Sequence, residues 1–155
     1  MKVEELLARA RYWGLTIATA ESCTGGMVAA ALTDVAGASD VFERGFVTYS
    51  NEAKMELLGV KPDTLEAHGA VSEAVAREMA EGALAHSRAD IAVSITGIAG
   101  PGPSEHKPEG RVCFGIARKG QATRVETMEF GARGRARVRE ASMRRALELL
   151  ADVMD

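Results

Sequence analysis

The sequence predicts an α/β protein, a three-layer α/β/α sandwich around a mixed, mostly parallel sheet. Helical and strand-like segments alternate along most of the chain, the order found where helices connect parallel strands. The segment 91–95 is an almost continuous apolar run, typical of a strand that is buried on both faces. Two adjacent strand-like segments, 111–117 and 123–130, then form a predicted hairpin before a last helix.

The helices are predicted from apolar residues at helical spacing and from the residues that begin or end them. The first helix begins near Val3 and ends near Gly14. Asn51 is expected to cap a helix that ends before Gly59, and Ser72 to open the clearest helix of the chain. Further helices are expected at 27–32, from Pro62, and at 135–153, and the remaining strands at 15–19 and 45–50.

Composition limits the class of protein. The 155 residues are expected to form one domain, 1–155, of ordinary hydrophobic (46%) and charged (26%) content. A net charge of −3 and 5% aromatic residues argue against nucleic acid as a partner. No apolar run predicts a membrane span, and the first ten residues do not resemble a signal peptide. With two cysteines, Cys23 and Cys113, we expect a cytoplasmic protein without a disulfide framework.

Small polar residues follow three predicted strands. The clusters are Glu21 to Gly26, Tyr49 to Lys54, and Thr96 to Gly102, the last opening a long loop rich in glycine and proline. Ligands of open α/β sheets bind at the carboxyl ends of the strands, so the three clusters are expected to converge on one crevice. The glycines of the third cluster resemble an anion cradle, although the segment does not match a P-loop.

Ser22 is the candidate nucleophile. It lies in a strand-to-helix turn where the backbone N–H groups of Thr24, Gly25 and Gly26 can hold a developing oxyanion. The residues alone favour a simpler interpretation, in which Ser22 or Thr24 caps the helix. The neighbouring Cys23 is a rival nucleophile, but a small buried packing role is the better interpretation.

A serine nucleophile needs a base, and the best candidate is Lys54. His68, His86 and His106 are expected at helix ends or in the long loop, and none forms a convincing catalytic arrangement. Lys54 lies one turn into a helix, which returns its ammonium towards the preceding strand end, and burial would depress its pKa. The alternative is an ordinary exposed helical lysine. No spacing of histidine and cysteine predicts a metal site.

Three motifs together resemble the CinA C-terminal domain family. They are Ala20-Glu21-Ser22-Cys23-Thr24-Gly25-Gly26, Tyr49-Ser50-Asn51 followed by Lys54, and Thr96-Gly97-Ile98-Ala99-Gly100-Pro101, and the resemblance extends from about Leu6 to Leu150. It implies an α/β/α sandwich with a mixed sheet. It also implies a nicotinamide-nucleotide amidase, which hydrolyses nicotinamide mononucleotide to nicotinate mononucleotide and ammonia.

The resemblance further implies roles for individual residues. Ser22 matches the nucleophile, Lys54 the general base and Tyr49 an assisting hydroxyl. Neither a metal nor a cofactor is implied, and the partners expected are a small nucleotide substrate and, from the apolar helices, further copies of the chain. The residues expected to bind substrate are Thr24, Gly25, Gly26, Asn51, Thr96, Gly97, Gly100 and Arg135.

The chain departs from the family pattern at the long loop and before the last helix. Pro103-Ser104 replaces expected glycines, and Glu109 stands where valine is usual. The arginine of a Gly-Asp-Arg motif corresponds to Arg135 or, alternatively, to Arg133. These changes leave two other functions open: a non-catalytic nucleotide-binding regulator linked to competence or DNA damage, and an amidase for another substrate.

Overall fold

The computed structural model describes residues 2–155 and contains, within that range, six α-helices and a five-stranded sheet. None of these helices is long and apolar enough to cross a membrane. The elements are α1 Val3–Trp13, β1 Ile17–Glu21, α2 Met27–Thr33, β2 Phe42–Val47, α3 Asn51–Leu58, α4 Pro62–His68, α5 Glu73–Ala85, β3 Ile91–Gly97, β4 Arg111–Arg118, β5 Arg124–Glu129 and α6 Arg135–Val153, with a 3-10 turn at Ala38–Asp40.

The strand order is β2-β1-β3-β4-β5. β1 is parallel to both β2 and β3, whereas the β3–β4 and β4–β5 pairs are antiparallel. The predicted α/β fold with a mixed sheet is therefore confirmed. Two of the four strand pairs are parallel, however, so the sheet is not mostly parallel. The reason is the connection 98–110, which contains no helix to carry the chain back across the sheet, so β4 returns beside β3 in the opposite direction.

The two faces of the sheet carry side chains of different size. Large apolar residues such as Ile17, Ile91 and Ile95 pack with α1, α2 and α6 in the larger core cluster. The opposite face presents small residues to α3 and α5. There Ser94 Oγ donates a hydrogen bond of 2.6 Å to the carbonyl oxygen of Ala76, in α5. The small residues therefore let α5 lie directly on the strands, which gives the three layers.

The observed boundaries change the local interpretation at three places. β1 extends to Glu21, so Ser22 follows the strand directly. β2 begins at Phe42, three residues before the predicted start, and ends at Val47. Ser50, rather than Asn51, caps α3, because its Oγ accepts the N–H of Ala53 at 3.0 Å.

The carboxyl ends of β1, β2 and β3 lie at the same edge of the sheet, with β1 in the middle. Two hydrogen bonds continue the pairing past the strand ends: Ser22 donates its N–H to Ile95, and Thr48 donates its N–H to Glu21, each at 2.9 Å. Ser22 is consequently held between β3 and the residues that follow β2, at the sheet edge where the three polar clusters were expected to converge.

Candidate active site

The turn after β1 is organised by the buried carboxylate of Glu21. It accepts the Thr24 hydroxyl at 2.6 Å and the N–H groups of Val28 and Ala29, in the first turn of α2, at 2.9 and 3.1 Å. The capping position itself is Gly26, with φ of 109°. The interpretation of Ser22 or Thr24 as the helix cap is therefore wrong, and the Ser22 hydroxyl takes no part in capping.

Ser22 is paired with Lys54. The Nζ of Lys54 lies 3.0 Å from the Oγ of Ser22, 3.0 Å from the carbonyl oxygen of Thr48 and 3.3 Å from that of Tyr49. Helical side chains lean towards the N-terminus of their helix, so a lysine in the first turn of α3 reaches back to the end of β2. Only 1% of Lys54 and 8% of Ser22 are exposed, so the alternative of an exposed lysine is wrong.

The burial of Lys54 shifts its protonation equilibrium towards the neutral amine. Burial lowers the pKa of the Lys54 ammonium below its ordinary 10.5, against smaller opposing effects of Cys23 and Glu105. A neutral amine has two N–H groups, and two carbonyl oxygens are in place to accept them. Its lone pair is then directed at the third neighbour, the Ser22 hydroxyl. The pair can therefore transfer a proton from Ser22 Oγ to Lys54 Nζ.

A cleft of about 290 Å³ opens above this pair. The structure brings most of the predicted site residues to its wall: Ser22, Tyr49, Asn51, Lys54, Thr96, Gly97, Gly100 and Arg135. It does not bring Thr24, Gly25 or Gly26 there. Gly25 donates its N–H to the Ser22 carbonyl oxygen at 3.0 Å, and the Thr24 carbonyl oxygen accepts from Arg139 at 3.3 Å. These three residues therefore lie outside the cleft wall.

Arg135 joins two walls of the cleft. One guanidinium nitrogen donates to the carbonyl oxygen of Gly100 at 2.7 Å, and another donates to the Tyr49 hydroxyl at 2.6 Å. Arg133, the alternative candidate, lies outside the cleft wall. The Tyr49 hydroxyl is thus at Arg135, and the contact of Tyr49 with Lys54 is made by its backbone.

Several residues of the site carry no sequence signal. Ala70 and Val71, between α4 and α5, line the cleft because Thr96 Oγ1 donates to the Ala70 carbonyl oxygen at 2.9 Å. Their small apolar side chains resemble any other packing residue. Arg139 donates to the Cys23 carbonyl oxygen at 3.0 Å and so supports the turn from behind.

The remaining candidate residues do not complete a second catalytic arrangement. Cys23 lines the cleft, but only 5% of it is exposed, and burial raises the pKa of its thiol to about 12. It therefore stays protonated at neutral pH. His68, His86 and His106 lie outside the cleft wall.

The fold and the site together define an α/β/α domain with a buried serine–lysine pair at the carboxyl edge of its parallel strands. The model of the CinA C-terminal domain matches residues 2–154, and the chain belongs to that family. The resemblance identified from the motifs is confirmed.

Individual relatives agree with this membership. The chain is 65% identical over 105 residues to the nicotinamide-nucleotide amidohydrolase PncC of Escherichia coli K12, covering 67% of this chain and 64% of that protein. It is 54% identical over 147 residues to a CinA-like protein of Chlorobaculum tepidum, covering 90% of this chain but 35% of that one. The chain thus spans about a third of the length of such relatives.

Solved structures of the family have the same fold. The competence/damage inducible protein CihA from Agrobacterium tumefaciens matches with a TM-score of 0.93 and 46% identity, over 100% of this chain and 97% of that one. A CinA superfamily protein from Escherichia coli matches with a TM-score of 0.91 and 38% identity, over 97% and 90%.

Proposed function

We propose that the chain is an amidohydrolase that converts nicotinamide mononucleotide and water to nicotinate mononucleotide and ammonia. The observation that carries the proposal is the buried pair at the base of the cleft, with 3.0 Å between Lys54 Nζ and Ser22 Oγ. A binding site for a nucleotide has no need of a hydroxyl next to a desolvated amine, whereas nucleophilic catalysis does. The similarity to the PncC protein, whose name gives this activity, supports the choice of substrate.

The first half of the reaction forms an acyl-enzyme. The neutral amine of Lys54 takes the proton of the Ser22 hydroxyl while Oγ bonds to the carboxamide carbon, and the carbonyl oxygen becomes an oxyanion. The Lys54 ammonium then gives its proton to the carboxamide nitrogen. The carbon–nitrogen bond breaks, ammonia leaves, and the nicotinoyl group remains on Ser22 as an ester.

The second half releases the acid. Lys54, neutral again, takes a proton from a water molecule whose oxygen attacks the ester carbon. The bond from that carbon to Ser22 Oγ breaks, and Oγ recovers a proton from Lys54. One water is consumed, and every proton has a donor and an acceptor among Ser22, Lys54, water and the substrate.

The oxyanion would be held by N–H groups of the turn that carries Ser22. The N–H of Gly25 is committed to the Ser22 carbonyl oxygen. Within residues 2–155, Thr24 and Gly26 donate to no backbone acceptor, which leaves their N–H groups for this role. These residues lie outside the cleft wall, so the turn would have to move to bring its N–H groups to the oxyanion.

The rest of the substrate would occupy the cleft along the segment from Thr96 to Gly100. Arg135, at its mouth, suits the phosphate of the nucleotide, because a guanidinium binds phosphate oxygens with two parallel hydrogen bonds. Asn51, which also lines the cleft, offers an amide for a further hydrogen bond. Tyr49 would assist by orienting Lys54 through its carbonyl oxygen and Arg135 through its hydroxyl.

Ammonia release from nicotinamide mononucleotide tests the proposal. We expect the wild type to release ammonia, and Ser22→Ala and Lys54→Ala to lose at least about a thousandfold in kcat, since the nucleophile or its base is gone. Lys61→Ala, which removes an exposed lysine near the end of α3, is the matched control and should keep the wild-type rate. An inactive wild type that still binds the nucleotide would instead indicate a regulator, and a Ser22→Ala variant at full rate would refute the mechanism.

A further inference from the structure

Glu109 connects the loop that forms one wall of the cleft to the beginning of α6. One carboxylate oxygen accepts the N–H of Gly102 at 2.7 Å, and the other accepts the N–H of Gly134 at 2.9 Å. Gly102 lies in the cleft wall, and Gly134 is the residue directly before α6. A single carboxylate thus fixes two segments that are distant in the sequence.

The two ends of this connection lie one or two residues from the two ends of the contact made by Arg135. Arg135 follows Gly134 in the chain, and its guanidinium donates to the carbonyl oxygen of Gly100, two residues before Gly102. The side chain of Glu109 also fills the space beside Gly100, since a Cβ placed on that glycine would come within 2.5 Å of the Glu109 carboxyl carbon. Glu109 therefore fixes both the backbone next to Arg135, at Gly134, and the loop that contains Gly100, whose carbonyl oxygen accepts the Arg135 hydrogen bond.

We propose that Glu109 is a positioning residue that holds Arg135 across the cleft and thereby sets the affinity for the substrate. Hydrogen bonds from N–H groups to a carboxylate are stronger than those between neutral groups, so the connection is well suited to fix a loop. In agreement, these two bonds lower the pKa of the Glu109 carboxyl below its usual range. A valine, which the family resemblance leads us to expect here, has no oxygen to accept either N–H.

The location of Glu109 separates this role from the chemical step. Its carboxylate bonds to Gly102 and Gly134 and makes no hydrogen bond to Ser22 or Lys54. Loss of the carboxylate should therefore leave the serine–lysine pair in place. The expected consequence is weaker binding with unchanged chemistry, which is a rise in KM at nearly constant kcat.

Steady-state kinetics with nicotinamide mononucleotide test this role, which in this form rests on the proposed function. For Glu109→Val we expect KM to rise about fivefold to tenfold and kcat to stay within about twofold. Glu109→Gln should lie between wild type and Glu109→Val, because its amide keeps one acceptor oxygen. Glu140→Gln is the matched control: it removes an exposed carboxylate of α6 that pairs with Arg144, and it should leave KM unchanged. An unchanged KM in Glu109→Val, or a loss confined to kcat, would overturn the proposal.

An activity-independent measurement separates failure of this role from failure of the proposed function. The amide protons of Gly102 and Gly134 should be protected from exchange in the wild type and become exposed together in Glu109→Val, whereas the Glu140→Gln control should keep both protected. If the wild type does not hydrolyse the nucleotide, the proposed function fails. The exchange measurement still shows whether Glu109 holds the N–H groups of Gly102 and Gly134. Retained protection of both amides in Glu109→Val would overturn the connection whatever the activity.

Discussion

The Lys54 ammonium nitrogen lies 3.0 Å from the Ser22 hydroxyl oxygen, although the two residues are 32 positions apart in the chain. Parallel pairing of β1 with β2 brings the two strand ends together, and the first turn of α3 returns Lys54 to that place. Burial then adjusts the chemistry, because desolvation lowers the pKa of Lys54 and so makes the unprotonated amine, the form that can accept a proton, available at lower pH. The fold thus provides both the short distance between Lys54 and Ser22 and the low polarity of their surroundings.

The pKa of Lys54 predicts how activity depends on pH. The ammonium cannot accept the Ser22 proton, and burial lowers its pKa below 10.5, so the neutral form becomes available at lower pH than for a free lysine. We expect kcat/KM to rise with pH through one limb that lies below 10.5 and to fall as pH drops through it. Rate measurements between about pH 5 and pH 10 check this.

Lys54→Arg is the sharpest variant for the same prediction, since a guanidinium keeps the positive charge but cannot be deprotonated in a protein. It should lose the activity at every pH, whereas Lys61→Arg should keep the wild-type profile. A pH-independent rate in the wild type, or substantial activity in Lys54→Arg, would contradict the assignment of Lys54 as the base.

Cys23 is predicted to be dispensable for the chemistry. Its thiol is buried, and its pKa of about 12 leaves almost no thiolate at neutral pH. Cys23→Ala should therefore keep kcat within about threefold of the wild type. Iodoacetamide should inactivate the wild type no faster than this variant. Inactivation of the wild type alone, prevented by substrate, would restore the thiol as a nucleophile.

The sequence was sufficient to predict which segments meet at the site. The apolar run at 91–95 and the polar residues after three strands were enough to place Ser22, Lys54 and Thr96 at one sheet edge, because parallel strands end on the same side. The positions of the residues already favoured Lys54 over a histidine, but the alternative of an exposed lysine stayed open, and the role of general base was assigned from the family resemblance. Spacing along the chain does not reveal that a helical lysine is buried.

Two features of the turn after β1 were not predictable from the sequence: which side chain caps α2, and where the turn residues lie relative to the cleft. Glu21 caps α2 although it lies in the preceding strand, and local propensity assigned that role to Ser22 or Thr24. Thr24, Gly25 and Gly26 were expected in the cleft wall, but they lie outside it, in a turn where Gly25 and Gly26 adopt a left-handed backbone. Such details follow from packing in three dimensions and leave no periodic pattern.

Arg135 rather than Arg133 is predicted to bind the substrate. The guanidinium of Arg135 lies in the cleft wall and crosses from Gly100 to the Tyr49 hydroxyl, whereas Arg133 is outside that wall. Arg135→Ala should raise KM for nicotinamide mononucleotide at least about tenfold, and Arg133→Ala, the matched control, should change it less than about twofold. Equal effects of the two variants would place the nucleotide elsewhere.

Gly82→Ala is predicted to destabilise the fold and to disturb the site. Helix propensity alone favours alanine by about 1 kcal/mol in a helix interior. A Cβ at Gly82 in α5, however, would overlap the carbonyl oxygen of Leu58, the last residue of α3. Relief of that overlap requires α3 to move, and such overpacking costs about 1–3 kcal/mol. Because α3 carries Lys54, the same movement would lengthen its contact with Ser22 and lower kcat.

Urea denaturation and kcat, measured on the same samples, test this coupling between packing and chemistry. Gly120→Ala is the control, because a methyl group added there meets nothing within 4 Å and displaces no helix. Its destabilisation comes only from placing alanine in a left-handed backbone conformation. We expect both variants to lose stability, but only Gly82→Ala to lose activity below its unfolding transition. A stable and fully active Gly82→Ala would show that α3 tolerates the movement, and that the geometry of the Ser22–Lys54 pair is maintained by the hydrogen bonds of Lys54 rather than by the packing of α3 against α5.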